Sequence, residues 1–169
     1  MTRTRHISLA LLAAILTLGP LAAVAKTSMF NAHLSGKEVV PVRDTQATGE
    51  AKFIVSPDAT QLGFRVNVSN IENVISAELR NAPVGSDGPV VATLYTAAPG
   101  SGKATGILTT GSLTSSNLSG PFAGQSLSAL TDAMAAGRIF IVVRTDDGQG
   151  APDQKPGDFS SGEIRGQVK

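Results

Sequence analysis

The sequence predicts an all-β domain of antiparallel strands with one short helix, and three observations predict it. Apolar residues recur at every second position in several short segments. Turns rich in Gly, Pro, Asn and Asp separate those segments at short, regular intervals. Only one stretch, near residues 126–137, spaces its apolar residues as a helix does. Together these features describe an antiparallel sandwich or closed barrel, and the lack of strand–helix alternation argues against a doubly wound sheet.

The clearest strand pair spans residues 49–68. Ala51, Phe53 and Val55 share one face, Glu50 and Lys52 the other, with Ile54 the one apolar residue out of pattern. After a turn at residues 57–60, Leu62, Phe64, Val66 and Val68 point one way and Arg65 and Asn67 the other. Ile75, Ala77 and Leu79 alternate with Ser76, Glu78 and Arg80, and a turn over residues 83–89 leads to a strand at residues 90–95. Shorter strands are expected at residues 106–110 and 112–114. Leu127, Leu130, Ala133 and Met134 then form a helical stripe, with Ser126 or Ser128 as N-cap and Gly137 as a left-handed C-terminal cap. A β-branched run at residues 139–145, a polar loop at 146–161 and a closing strand at 162–168 complete the domain. The inward phase predicts a core containing Phe53, Val55, Phe64, Val66, Leu79, Ile141 and Val143.

The first 25 residues read as an export signal. Arg3, Arg5 and His6 precede an uncharged run at residues 7–18, which is too short to span a bilayer. Gly19 and Pro20 end it, and Ala23 and Ala25 supply the small residues of a cleavage site, placing the cut before Lys26. Residues 26–169 then form a single secreted or periplasmic domain with no membrane insertion. Removing Arg3 and Arg5 takes the formal charge from +1 to −1, which leaves no basic footprint for nucleic acid. There is no cysteine, so the domain is held without disulfides. Asn67-Val68-Ser69 and Asn117-Leu118-Ser119 match the glycosylation triplet, a pattern too short to carry weight here.

The residues give little support to catalysis. Past the signal there is one imidazole, His33, no cysteine and no Gly-x-Ser-x-Gly elbow, so no catalytic residues are assigned. One His and no Cys cannot assemble a nitrogen–sulfur zinc or copper site, and no cofactor is expected. Asp146, Asp147, Asp153 and Asp158 offer oxygens suited to calcium but lack the spacing of a calcium loop; a solvated acidic loop is the preferred reading. The glycines of residues 83–89 lack the lysine that a phosphate cradle requires. With no Trp and one Tyr, Tyr95, the chain has few platforms for sugars.

Several motifs in order carry a family resemblance: Phe30-Asn31-Ala32-His33-Leu34-Ser35-Gly36, Glu38-Val39-Val40-Pro41, Ala47-Thr48-Gly49, Gly88-Pro89-Val90-Val91 and Gly162-Glu163-Ile164-Arg165-Gly166-Gln167. In these the chain resembles the chordin-type (CHRD) domain, over about residues 29–168. The resemblance implies an immunoglobulin-like or superoxide-dismutase-like β-sandwich. Through chordin, which sequesters growth factors, it also implies a non-enzymatic domain that binds an extracytoplasmic protein or polymer. A structural envelope or matrix domain is the alternative, and a dismutase-like or hydrolytic enzyme is the third reading. Such domains commonly carry Ala-His-Ile-His where this chain has Ala77-Glu78-Leu79-Arg80, and His-Thr where it has Arg144-Thr145. The resemblance therefore implies that a polar face bearing histidines in relatives carries Glu78, Arg80 and Arg144 here. Strand phase adds Glu163 and Arg165 to that face, with Glu78 expected to pair bidentately with Arg144 or Arg165.

Overall fold

The computed structural model describes residues 28–169; the expected signal and its cleavage site lie outside them. Eight strands form a single antiparallel sheet: β1 (Met29–Ser35), β2 (Thr48–Val55), β3 (Leu62–Glu72), β4 (Val74–Asn81), β5 (Val90–Thr96), β6 (Lys103–Leu113), β7 (Ile139–Thr145) and β8 (Ile164–Gln167). Their order is β5-β4-β7-β8-β1-β2-β3-β6. The two outer strands come together, since Thr109 of β6 donates its hydroxyl to the carbonyl of Leu94 in β5 at 3.4 Å. The sheet thus closes almost into a barrel around one core. Among the described residues no helix is long and apolar enough to cross a membrane.

The predicted hairpin is the β2–β3 pairing of this sheet. Phe53 lies opposite Phe64 and Ala51 opposite Val66, so both strands bury the same face. Ile54 keeps the outward phase and is 46% exposed, so the alternation is strict in geometry though not in polarity. Phe53, Val55, Val66, Leu79, Ile141 and Val143 are all buried as the phase requires. Phe64 is not: it is half-buried, packed against the rim of the core. Its neighbour on β6 is Gly111, and the ring lies over the space that a side chain there would fill. The ring therefore covers Gly111 instead of entering the core.

The two short strands expected at 106–110 and 112–114 are one strand of eleven residues. Gly111, between the two expected segments, pairs in register with Phe64, so the ladder runs through it; the register shifts lie farther along, at Val66/Asn67 and Val68/Ile71 on β3. The helix α1 (Leu127–Ala135) buries the predicted stripe of Leu127, Leu130, Ala133 and Met134. Gly137 follows it at φ +65°, its N–H bonded to Met134 and that of Arg138 to Ala133, a left-handed cap that satisfies the last carbonyls. Ser126 is the N-cap by position, but its hydroxyl makes no capping bond and meets Ser128 instead.

Two stability outcomes follow. Phe53→Ala should lose about 3–5 kcal/mol, whereas Phe64→Ala, at the rim, should lose clearly less; urea unfolding of both against wild type checks the ranking. Gly137→Val should lower the urea midpoint through the left-handed angle it imposes on a β-branched residue, while Gly137→Asn should lose less.

Candidate functional site

On the outer surface of β4 the side chains of Ser76, Glu78 and Arg80 stand in a row, two residues apart. The register of β7 sets Arg144 opposite Ser76, Val142 opposite Glu78 and Phe140 opposite Arg80. β8 then adds Arg165 beside Val142 and Gln167 beside Phe140. The face is therefore built from three central strands and is fixed by their hydrogen-bond ladders.

Glu78 is the centre of this face, with its side chain 9% exposed. Arg80 donates from both Nε (3.0 Å) and Nη2 (2.9 Å) to one carboxylate oxygen, Oε2. The other oxygen, Oε1, receives Ser76 Oγ at 2.9 Å and Arg144 Nη1 at 3.1 Å. Arg144 is held in turn by its Nε, which donates to the Ser160 carbonyl, and Arg80 reaches Asp87 and the Gly88 carbonyl. Burial opposes ionisation of Glu78, but the bonds from Arg80, Ser76 and Arg144 outweigh it and hold the carboxyl below its ordinary value of 4.5.

The expected pairing is thus divided. Arg144 does contact Glu78, through one nitrogen; the two-nitrogen contact comes from Arg80, on the same strand. Arg165 makes no bond to Glu78: its guanidinium lies 3.6 Å from the centre of the Phe140 ring and donates to the Pro83 carbonyl. It roofs a small apolar patch of Ala82, Phe140 and Val142.

Glu163 leaves this face altogether, correcting the expectation that five charged groups meet there. β8 begins only at Ile164, and Gly162 before it sits at φ +139°, a backbone angle that only glycine adopts readily. Counting back in twos from Arg165 therefore fails. The Glu163 carboxylate receives Thr45 Oγ1 (2.6 Å), Thr145 Oγ1 (2.7 Å) and the Gly157 N–H (2.9 Å), and the residue is 1% exposed.

Elsewhere, His33 is exposed beside Glu50, 3.6 Å away. Asp146, Asp147 and Asp158 place carboxylate oxygens within 4.8 Å of one another, but Lys155 pairs with Asp147 at 2.9 Å. The fourth acid of that loop, Asp153, turns away to Arg43 at 3.3 Å, and Arg43 also lies over Phe159. Ser76, two residues from Glu78, was visible in the strand pattern. Asp87, Ser160, Thr45, Thr145 and Gly157 were not, because their contacts depend on loop paths that no periodicity encodes.

Chemically, the β4–β7 face is a filled ionic network. Both oxygens of its carboxylate are taken, and guanidinium groups have no lone pair to offer. The donor set does not fit a copper or zinc ion. Glu78→Gln should destabilise the domain by about 1–3 kcal/mol at pH 7, since it leaves two arginines facing a neutral amide. Because the folded carboxyl titrates below 4.5, this stabilisation is complete above that pH and is lost as pH falls through the lower folded value. The gap between variant and wild type in urea unfolding should accordingly shrink from pH 7 to pH 3.

With the strands and this face in place, comparison with known families is informative. No curated protein matches the chain, and no solved structure does. The CHRD domain family matches residues 30–151, which include all of β1 but its first residue, β2 to β7, and the Glu78, Arg80 and Arg144 positions. The match covers most of the sequence, and the chain belongs to the CHRD domain family.

Proposed function

We propose that this chain is an exported, non-enzymatic CHRD domain that binds an extracytoplasmic protein or polymer. The observation that carries the reading is the closed network at Glu78. The face that the resemblance expects to hold histidines carries here a carboxylate satisfied internally by Ser76, Arg80 and Arg144, with no oxygen left for a metal. The basic and apolar start of the sequence and the small residues at Ala23 and Ala25 support export with cleavage before Lys26. The strand order supports a superoxide-dismutase-like sandwich, in which β5-β4-β7-β8 and β1-β2-β3-β6 form the two layers. In that arrangement the likeness to a dismutase is one of scaffold, and the chemistry is absent because its ligands are replaced.

Two measurements test this. Titration of the purified protein with copper or zinc should give no stoichiometric submicromolar binding; such binding abolished by Glu78→Gln would overturn the reading. Capture experiments on the source envelope should retain a defined partner that survives salt washing and copurifies in the reverse direction. Failure to retain any partner would favour a purely structural domain.

A further inference from the structure

Glu163 is a buried carboxylate that the ionic network does not use. Among the described residues no lysine, arginine or histidine pairs with it. Its three partners are neutral donors, and two of them are fixed in that role. Thr45 Oγ1 accepts from the Ala47 N–H and Thr145 Oγ1 from the Phe159 N–H, which directs each hydroxyl proton toward Glu163. A negative charge held by neutral groups alone in the interior is costly, and its natural complement is a cation from outside.

A place for that cation is present. Glu163 lines a cavity of about 260 Å³ together with Asn70, Glu72, Lys103, Thr105 and Pro156. The cavity sits where β3 and β6 lose register between Val68 and Ile71, with Asn70 at φ +54°. Such bulges open a sheet locally and redirect side chains. Glu72 and Lys103 are cross-strand neighbours but form no ion pair, and both line the cavity. Residues 146–163, which supply the other wall, carry five acids and one lysine, a formal charge of −4 that Arg43 beside Asp153 reduces to −3. The field at the mouth therefore favours a positive ligand.

We propose that this cavity binds a primary alkylammonium group, carried by a small free amine or by a lysine side chain of a protein. A calcium ion needs six to eight converging oxygens, and Glu163 has already given three lone-pair directions to its donors. A guanidinium is best matched by an unobstructed carboxylate edge, which Glu163 does not present. An ammonium is a compact charge that brings three donors of its own; Glu163, the Thr105 hydroxyl and the Glu72 carboxylate supply acceptors of the right kind. Lys103 stands at the rim as an internal competitor. The proposal deepens the binding reading by naming a ligand chemistry, yet it is separable from it. Amine binding without any captured partner would leave this site standing and remove the macromolecular reading, and the converse would do the reverse.

The test is calorimetric titration of the purified protein at low salt with 1,4-diaminobutane and with N-acetyl-lysine methylamide, using N-acetyl-norleucine methylamide as the uncharged control. At least one of the two amines should bind saturably; the one that binds more tightly identifies the source, free amine or side chain. Glu163→Gln should weaken binding about tenfold and Lys103→Ala should strengthen it. If Glu163→Gln does not fold, Glu72→Gln at the rim should still weaken binding about threefold. Absence of saturable binding by both amines, equal binding of the norleucine control, or binding unchanged in folded Glu163→Gln or Glu72→Gln would overturn the proposal.

Discussion

The structure depends on the insertion of the last strand between β7 and β1. β8 is four residues long, yet it joins two halves of the sheet. Its link to β1 is sparse: Ser35 pairs with Arg165, and Asn31 exchanges two backbone hydrogen bonds with Lys169 at 2.8 and 2.9 Å. On the inner side Ile164 and Val168 are fully buried and bring the C-terminal segment into the main core. No disulfide supports this closure, since the chain has no cysteine. Apolar burial and ladder hydrogen bonds must hold together pairs that are more than a hundred residues apart in sequence.

Two of the buried carboxylates, Glu78 and Glu163, illustrate opposite solutions to one problem. Glu78 lies among arginines, and its charge is matched by Arg80 and Arg144 on rigid strands. Glu163 lies among threonines and a backbone N–H contributed by a loop and strand ends. The first arrangement is electrostatically closed and ties β4 to β7. The second is satisfied in hydrogen bonds but not in charge, and it ties residues 157–163 to Thr45 and Thr145. A buried ion network contributes less to net stability than its distances suggest, because desolvation offsets much of the attraction. Its clearer consequence is registry: shifting β4 by one residue against β7 would turn Glu78 into the core.

Strand phase was legible where both faces were decided by solvent. The Phe53 and Val66 positions alternate with exposed or half-buried neighbours because one side of β2 and β3 is core, and the helical stripe of α1 was readable for the same reason, whereas in β7 Phe140 and Val142 are buried on the opposite face from Ile141. Phe64 misled because phase says which side a residue faces, not whether its strand is covered there; Gly111 on β6 leaves that place open. β6 is continuous across the two expected segments because Gly111 keeps its ladder pairing with Phe64. The Glu78 contact with Arg144 was within reach of phase plus family resemblance. The place of Glu163 was not, since one glycine at φ +139° resets the count ahead of β8.

The polar face also shapes the loops around it. Glu78, Arg80 and Arg144 do not leave the β4–β7 face bare; with Ser76 they form one set of mutually satisfied polar groups. Arg80 extends to Asp87 and Gly88, and Arg144 to Ser160, so these charges also brace the two loops that border the face. An arginine reaches such loop carbonyls because its guanidinium offers five donors in a planar fork, which an imidazole does not. The filling of the face and the bracing of its flanking loops are therefore one arrangement seen from two sides. Arg80→His alone would therefore lose the two-nitrogen bond to Glu78 and both loop contacts, because an imidazole has neither the reach nor the number of donors to replace them.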